Sequence, residues 1–300
     1  MKKTILNKII TLGIIILFIG ICGFPSTAIK SEGKHVILKI RGNILYVGGT
    51  GVGNYTTIQD AVNDAFDGDT VFVFDDSSPY YEHIIVNKAI DLVGENRDTT
   101  IIDGSSVGTV ISFMVSWVNF SSFAVQNGST GIYLDIKSDN NHLVGNNIIN
   151  NEVGIDLYFS YYNTFTNNLF ENNSFGIKFT DGCSGHIFNN NDFINNKEIG
   201  LKLISPVNSR VLNNNFIGNK RHLFFEFRGD YGLFPIKGFL EAIKYSFSLT
   251  IKNNYWDQYR EKPFLIEGKI TTSSIPWFPV YSRNWWKFDW YPAAEPNNYV

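Results

Sequence analysis

The side chains most suited to chemistry belong to a pentapeptide that occurs four times. Its copies occupy residues 131–135, 154–158, 176–180 and 200–204. If the second and fourth residues of each copy point inward, the third and fifth point outward, because side chains alternate along a strand. The outward residues then form two columns, which are Tyr133, Asp156, Lys178 and Lys202, and Asp135, Tyr158, Thr180 and Ile204. Acid–base chemistry on this face therefore has Asp135, Asp156 and Lys178 as its candidates.

The arrangement of these groups does not match the usual needs of polysaccharide cleavage. A pectate-type lyase needs several carboxylates around calcium and a base that removes a proton. A hydrolase needs at least a pair of carboxylates. Here Asp135 and Asp156 are diagonal neighbours, and Asp156 beside Lys178 is explained more simply as a cross-strand ion pair. We therefore predict binding on this face, by the side chains of Tyr133, Asp156, Tyr158, Lys178 and Lys202.

The histidines offer a second kind of chemistry, a metal site. The possible ligands are His35, His83, His142, His186 and His222, with Met114 and Cys183. The repeat aligns His142 with Thr164, His186 and Arg210, so the two histidines are expected two coils, about 9.6 Å, apart. Metal–ligand bonds are about 2 Å long, so this pair cannot share a copper ion. We predict solvent-facing histidines and no metal or other cofactor, and no ligand cluster supports calcium.

Tryptophans are concentrated near the C-terminus. Residues 263–300 contain Trp277, Trp285, Trp286 and Trp290, together with Pro276, Pro279, Pro292 and Pro296. The prolines argue against regular coils. Aromatic rings can stack on sugars, and they also bury large areas when they close the open end of a fold. We favour an aromatic, proline-rich cap over residues 257–300, with binding candidates at Trp256, Trp285 and Trp286.

An internal repeat positions all of these residues. The glycines of the pentapeptides are separated by 23, 22 and 24 residues, and an Asn-Asn signature recurs. The signatures begin at Asn146, Asn167, Asn190, Asn213 and Asn253. Apolar and polar residues alternate over three to five positions, as in short strands, and Gly and Asn tolerate the backbone of sharp turns. The period predicts stacked coils with three short strands each, in which recurrent Asn side chains form an amide ladder.

Two segments depart from the repeat. Residues 55–65 begin with a hydroxyl N-cap candidate and place Ile58, Ala61, Val62 and Ala65 on one face, which predicts a short helix that covers the first coil. We therefore assign residues 35–69 to an N-terminal cap and 70–256 to the coils. An insertion at about 230–248 contains a second helical pattern formed by Phe239, Leu240, Ile243 and Phe247. We favour packing on the outside of the coils for this insertion, with a lid or a partner surface as the alternative.

At this point the sequence resembles a known family. The runs T-I-Q-D-A-V-N-D-A (57–65), G-D-T-V-F-V (68–73) and T-T-I-I-D-G (99–104) resemble the start of pectin-lyase-like β-helix proteins. The Asn-rich coils and N-N-Y-W (253–256) are similar to the NosD-type, copper-associated periplasmic β-helix domain. The resemblance covers about residues 44–256. It implies an all-β, single-stranded right-handed parallel β-helix with coils of about 22–24 residues, and it implies little about chemistry, because the shared residues mostly build coils.

The N-terminus indicates export. A basic start is followed by an uncharged apolar run at 9–20 and by small residues at 25–28, which predicts a signal peptide over residues 1–28. An uncleaved membrane anchor is the alternative, and it is the one route to a membrane. The formal net charge of −3 provides no basic face for nucleic acid. Cys183 is the one cysteine after the leader, so no intrachain disulfide is expected.

Two classes of function remain, with a third suggested by the resemblance. We favour a non-catalytic exported protein, extracellular, periplasmic or on the cell surface, that presents an extended surface to a polysaccharide, a glycan or another partner in the cell envelope. The alternative is a polysaccharide lyase, hydrolase or epimerase. A NosD-like accessory role in metalloprotein maturation is implied by the family resemblance alone.

Overall fold

The computed structural model describes residues 42–229, 235–257, 264–272, 281–289 and 291–298. The signal peptide predicted at 1–28 lies outside these residues. The described chain is almost entirely β and forms three sheets in which every neighbouring pair of strands is parallel, except the last two strands in chain order, which are antiparallel. Within the described residues, neither of the two helices is long and apolar enough to span a bilayer.

From residue 91 onward each coil contributes one strand to each sheet, so neighbours in a sheet are about one repeat apart in sequence, except where the insertion at about 230–248 intervenes. Sheet A contains β1 (Ile44–Val47), β2 (Thr70–Val73), β4 (Asp91–Gly94), β7 (Asn119–Ser121), β10 (His142–Val144), β13 (Thr164–Thr166), β16 (Ile187–Asn189), β19 (Arg210–Leu212) and β22 (Thr250–Lys252). Sheet B contains β5 (Ile101–Asp103), β8 (Ala124–Gln126), β11 (Asn147–Ile149), β14 (Leu169–Glu171), β17 (Asp192–Ile194), β20 (Asn215–Ile217) and β23 (Tyr255–Trp256). Sheet C contains β3 (Ile84–Val86), β6 (Thr109–Phe113), β9 (Thr130–Leu134), β12 (Val153–Tyr158), β15 (Phe175–Asp181), β18 (Ile199–Ile204), β21 (Arg221–Gly229), β24 (Phe264–Thr272) and β25 (Tyr281–Asp289). This arrangement confirms the predicted parallel β-helix.

The interior is filled by columns of apolar side chains, one from each coil. In sheet B, Phe170, Phe193, Phe216 and Trp256 stack face to face, with ring centroids 4.5 to 4.9 Å apart. This separation equals the strand spacing of a sheet, so identical rings at the same position of successive coils stack without adjustment. Each ring is buried, which makes the aromatic column a continuous source of hydrophobic stabilisation along the axis.

Buried asparagines form the predicted amide ladder. Asn146, Asn168, Asn191, Asn214 and Asn254 lie one above another. The Oδ1 of each accepts from the backbone N–H and the Nδ2 of the preceding member, and its own Nδ2 also donates to a backbone carbonyl, as Asn191 does to Phe165 O at 2.9 Å. The ladder satisfies turn backbone groups that water cannot reach.

In the first Asn-Asn signature, 146–147, the asparagine that joins the ladder is not the one expected from aligning the signatures. The ladder residue is the second Asn of the later signatures but the first, Asn146, of the earliest one. Asn147 instead points outward and binds Arg97 Nε at 2.8 Å. A second ladder, which the sequence analysis did not identify, consists of Asn151, Asn173, Asn196 and Asn219. The residue before each ladder position turns the chain with a left-handed backbone, for example φ 57° at Asn190.

The ends of the coils are closed differently. Helix α1 (Ile58–Asp64) begins at the N-cap Thr57, as predicted, and buries Ile58, Ala61 and Val62 against the first strands. At the other end, β24 continues sheet C and β25 returns antiparallel to it. There the buried Asp289 accepts hydrogen bonds from Asn254 N at 3.0 Å and from Trp256 Nε1 at 3.3 Å.

Strands therefore extend beyond the predicted coil segment, 70–256, on both sides. β1 lies in the segment assigned to the N-terminal cap. Residues 257–300, predicted as an aromatic, proline-rich cap, contain two strands, which lie between the prolines.

The insertion forms helix α2 (Pro235–Ser246), but its buried face differs from the predicted one. Ala242 is fully buried, whereas Leu240 and Phe247 are largely exposed. Phe247 also lies beyond the last helical residue. The helix contacts β21 and β24 through its small residue and the half-buried Ile243, which agrees with packing on the coils.

We predict that Asn191→Leu lowers the free energy of unfolding by about 3–5 kcal/mol, because three buried groups lose a hydrogen bond to Asn191, namely Asn168 N, Asn168 Nδ2 and Phe165 O. Urea unfolding monitored by circular dichroism measures the loss. The exposed Asn87→Leu is the control and should change stability by less than about 0.5 kcal/mol. An equal effect of both substitutions would show that the ladder is not needed for stability.

Candidate functional site

The first predicted column lies on the outer face of sheet C. Lys178 is in register with Asp156 and with Lys202, and Asp156 is in register with Tyr133. The next strand adds Phe224 opposite Lys202. We call Tyr133, Asp156, Lys178, Lys202 and Phe224 the outer row. It spans five adjacent strands, or about 19 Å at the spacing of parallel strands.

The second predicted column is wrong beyond Tyr158. The register shifts between Leu157 and Tyr158, so Tyr158 faces Asp181 rather than Thr180. The shift lets Thr180 Oγ1 donate to Asp156 Oδ1. Ile204, expected on the surface, is 2% exposed. A bulge of this kind adds a residue to one strand and moves the following side chains out of register.

The carboxylates of the face already have partners. Lys178 Nζ lies 3.7 Å from Asp156 Oδ2, and Tyr133 Oη donates to Asp135 Oδ1 at 3.4 Å. Burial, with a further effect of Asp135, raises the pKa of Tyr133 to about 12, so the phenol stays neutral and keeps the hydrogen that it donates to Asp135. The structure thus ties the catalytic candidates Asp135, Asp156 and Lys178 into local contacts.

Two lysines stand directly opposite each other. Lys178 and Lys202 are neighbours across β15 and β18, and like charges in this position repel. Burial, followed by the charge of Lys178, lowers the pKa of Lys202. Lys202 Nζ lies 5.6 Å from the centre of the Phe175 ring, which offsets part of the cost. A negatively charged group between the two lysines would relieve their repulsion.

The outer row ends in a cleft of about 320 Å³ between β21, β24 and β25. Its lining consists of Arg221, Phe224, Glu267, Gly268, Lys269, Asn284 and Trp286. The guanidinium of Arg221 lies 5.2 Å from the centre of the Phe224 ring. Trp286 is 48% exposed. The cleft therefore combines two aromatic rings with polar side chains.

The candidate tryptophans have different environments. Trp256 is 1% exposed and stacks between Phe216 and Phe264, at 4.5 Å from each. Its expected role in surface binding was therefore wrong, because its position belongs to the inner column. Trp285 is half-buried against the core and Trp286 faces the cleft. Trp277 and Trp290 lie outside the described residues.

The prediction that the histidines face solvent was wrong for two of those that the structure describes, His186 and His222. His186 is fully buried, and the residue aligned with His142 and Thr164 is Ile187 rather than His186. His186 Nδ1 instead accepts from Asn163 N at 3.1 Å, and Nε2 lies 3.1 Å from Ser160 O. His186 thus occupies an Asn position in a third stack, after Asn141 and Asn163.

The remaining histidines are also dispersed. His222 is buried, with Nε2 at 2.8 Å from Asp257 Oδ1, while His83 and His142 are exposed; His35 lies outside the described residues. Among the described side chains, no group of three or more His, Cys, Asp or Glu is placed to hold a metal ion.

Sequence reasoning missed Phe224, Glu267 and Arg221. The 22-residue step from Lys202 would have reached Phe224, but this coil has His222 where the preceding copies have glycine, so the motif is hidden. Glu267 follows an insertion and a break in the period. No periodic signal reaches Trp286, because its strand runs in the opposite direction.

The geometry of the coils agrees with the protein family whose model the sequence matches. The family described as a right-handed β-helix region matches residues 43–220 and, in a second match, 101–258. The chain belongs to this family. No curated protein matches its sequence.

Several solved structures of right-handed β-helices are similar to this chain at low identity. A double mutant of the periplasmic alginate epimerase AlgG is 14% identical with a TM-score of 0.42, over 78% of this chain and 56% of the epimerase. A pectin methylesterase mutant in complex with a hexasaccharide is 12% identical with a TM-score of 0.45, over 85% and 90% of the two chains. An alginate lyase from Paenibacillus sp. str. FPU-7 is 11% identical with a TM-score of 0.41, over 67% and 84%. The chain thus spans little more than half the length of the epimerase, and identities this low carry no information about activity.

We predict that His186 makes this β-helix sensitive to acid. Burial lowers the pKa of His186 to about 3, against about 6.5 in an unfolded chain. Because the folded pKa is the lower one, stability is complete above about pH 6.5 and is lost as the pH falls toward 3, by about 2 kcal/mol at pH 5. His186→Asn, which restores the residue type of the stack, should remove this part of the pH dependence.

Urea unfolding of both proteins at a series of pH values measures the difference. The comparison is between the slopes with pH, since the smaller side chain also changes packing against Phe179. Parallel pH profiles for the two proteins would contradict the assignment.

Proposed function

We propose that the outer row and its adjoining cleft bind a linear, negatively charged polysaccharide without cleaving it. The observation that carries the proposal is the Lys178–Lys202 pair, two like charges held opposite each other on a rigid sheet. This arrangement costs stability in the free protein. Asp156 already pairs with Lys178, and a carboxylated or sulfated sugar placed over the two lysines adds a further negative charge that reduces their repulsion and contributes to binding.

Aromatic rings stand on both sides of the lysine pair. Tyr133 lies two strands from Lys178 on one side, and Phe224 lies next to Lys202 on the other, followed by Trp286 in the cleft. Rings bind the apolar faces of sugars, and the Tyr133 hydroxyl, which donates its hydrogen to Asp135, can accept a hydrogen bond from a sugar hydroxyl. Because the row is straight and about 19 Å long, it suits several consecutive units of an extended polymer.

The contacts of the carboxylates support binding over catalysis. Asp156 contacts Lys178 and Thr180, and Asp135 accepts from Tyr133. A hydrolase needs a second carboxyl group across the scissile bond, and a calcium-dependent lyase needs a carboxylate cluster. Export under the leader predicted at 1–28 would bring the protein to extracellular or envelope polysaccharides.

The first test removes the lysine pair. Lys178→Gln combined with Lys202→Gln should weaken binding to a polyuronate by at least about tenfold, which corresponds to about 1.4 kcal/mol. The same variant should be as stable as the native chain or slightly more stable, because the repulsion between the two charges is gone. Affinity electrophoresis measures the first effect and thermal unfolding the second.

Controls separate specific contacts from bulk charge. Lys137→Gln combined with Lys220→Gln removes two exposed lysines away from the row and should leave binding nearly unchanged. A neutral glucan is the uncharged control polymer, and it should bind at least about tenfold more weakly than the polyuronate. The proposal fails if the native chain binds no charged polymer, or if both double variants lose affinity equally.

The second test asks whether bound polymer is cleaved or altered. We expect the native chain to give no new reducing ends, no unsaturated products and no epimerised sugars from a polyuronate that it binds. Asp135→Asn and Asp156→Asn should then change affinity alone. Product formation by the native chain that Asp156→Asn abolishes would replace binding with catalysis at the same face.

A further inference from the structure

The two ends of the β-helix carry opposite charge. Residues 42–104, which form the first coils, contain eleven Asp or Glu and two Lys or Arg. Residues 202–289, which form the last coils and the C-terminal closure, contain seven Asp or Glu and thirteen Lys or Arg. Within the part of the chain that the structure describes, from residue 42 onward, charge is therefore polarised along the axis of the coils, although the formal net charge of the whole sequence is only −3. Such complementarity orients association of one end with the other.

The acidic end also exposes apolar side chains. Phe66, in the turn between α1 and β2, is 75% exposed, and Val52, in the loop before α1, is fully exposed. Asp60, Asp64 and Asp67 surround this turn in sequence and are all exposed. Exposure of the large apolar side chain of Phe66 to water is unfavourable. An exposed aromatic side chain with acidic neighbours in sequence is typical of an anchor residue at an interface.

The basic end contains an apolar cleft. It has a volume of about 460 Å³ and lies between the end of α2, β22 and β25. Its lining consists of Ser246, Phe247, Leu249, Thr250, Ile251, Trp285, Trp286, Lys287 and Phe288. Phe247 is 75% exposed at the cleft, and Lys244 and Lys252 are exposed close by in sequence.

Lys287 gives the cleft its electrostatic character. Burial lowers the pKa of Lys287, and its Nζ donates to Leu249 O at 2.7 Å. Among the described residues, Lys287 forms no salt bridge with a carboxylate. A half-buried cation of this kind is stabilised by an acidic partner that enters the cleft.

We infer that two copies of this chain associate head to tail, with the acidic end of one copy, led by Phe66, seated in the basic apolar cleft of the next. Phe66 fills the space beside Phe247, and the neighbouring carboxylates face Lys244, Lys252 and Lys287. The contact joins two different surfaces, so each copy keeps one free end and association continues into a linear array. The inference stands on the two ends and does not depend on polysaccharide binding.

Sedimentation velocity of the full-length chain over a range of concentrations tests the inference. The weight-average sedimentation coefficient should rise with concentration at about 50 mM salt and rise much less at about 500 mM salt, where charge attraction is screened. Phe66→Lys, which places a cation against the basic cleft, should weaken association at least about tenfold. Phe247→Glu, which places an anion against the acidic end, should do the same.

Mixing the two variants provides the decisive result. Each mixed pair contains one unaltered head and one unaltered cleft, so association should return when Phe66→Lys and Phe247→Glu are combined. Misfolding of either variant cannot produce this rescue. Ile136→Lys, an exposed apolar position in the middle coils, is the matched control and should associate like the native chain.

A native chain that stays monomeric at all concentrations overturns the inference. So does a mixture of the two variants that stays monomeric, or association that Phe66→Lys does not weaken. In these cases another occupant, such as a different protein or a small apolar molecule, would have to account for the cleft.

Discussion

The structure depends on one constraint, which is that every coil has sharp turns whose backbone groups are buried against the coils above and below. A turn at the surface can use water, but a turn inside a stack cannot. The asparagine side chain solves this problem because it carries an acceptor and two donors in a fixed plane. Asn191 accepts from the coil before it and donates both to the coil after it and to a carbonyl. The repeat length follows, since all coils must present an amide at the same height.

The same regularity creates the outer surface. When interior positions repeat in register, exterior positions do so as well, and five consecutive side chains become one straight row. A parallel sheet then places like groups directly opposite each other. Stacked phenylalanines gain from this arrangement inside, whereas Lys178 and Lys202 are penalised by it outside. Repeating apolar or amide side chains in register therefore stabilises this fold, whereas repeating a charged side chain in register destabilises it unless a ligand of opposite charge is bound.

The sequence correctly predicted the features that recur in every repeat, and it was wrong where the repeat is interrupted. Glycine spacing located the strands of sheet C, and the Asn pairs located the ladder, because both are required in every coil. It misplaced Thr180, since a bulge is a local response that leaves no mark on composition, and it placed Ile204 on the surface although this side chain is buried. It also assigned Trp256 to the surface, although this residue continues a column of phenylalanines. Trp286 was expected at the surface, yet its contact with the outer face depends on a strand reversal that no repeat encodes.

That reversal has a physical reason in the direction of the ladder. The backbone N–H and the Nδ2 of each ladder asparagine donate to the Oδ1 of the next one. Asn254 is the last member, so its donors need an acceptor that does not belong to a further coil. The Asp289 carboxylate fulfils this role, since it accepts from Asn254 N, Asn254 Nδ2 and Trp256 Nε1. To bring a carboxylate beneath the last coil, the chain crosses the open end, and β25 does this by pairing antiparallel with β24. The strand that terminates the ladder also carries Trp286 and Lys287, so the closure of the core and the surface chemistry of the C-terminal end come from the same nine residues.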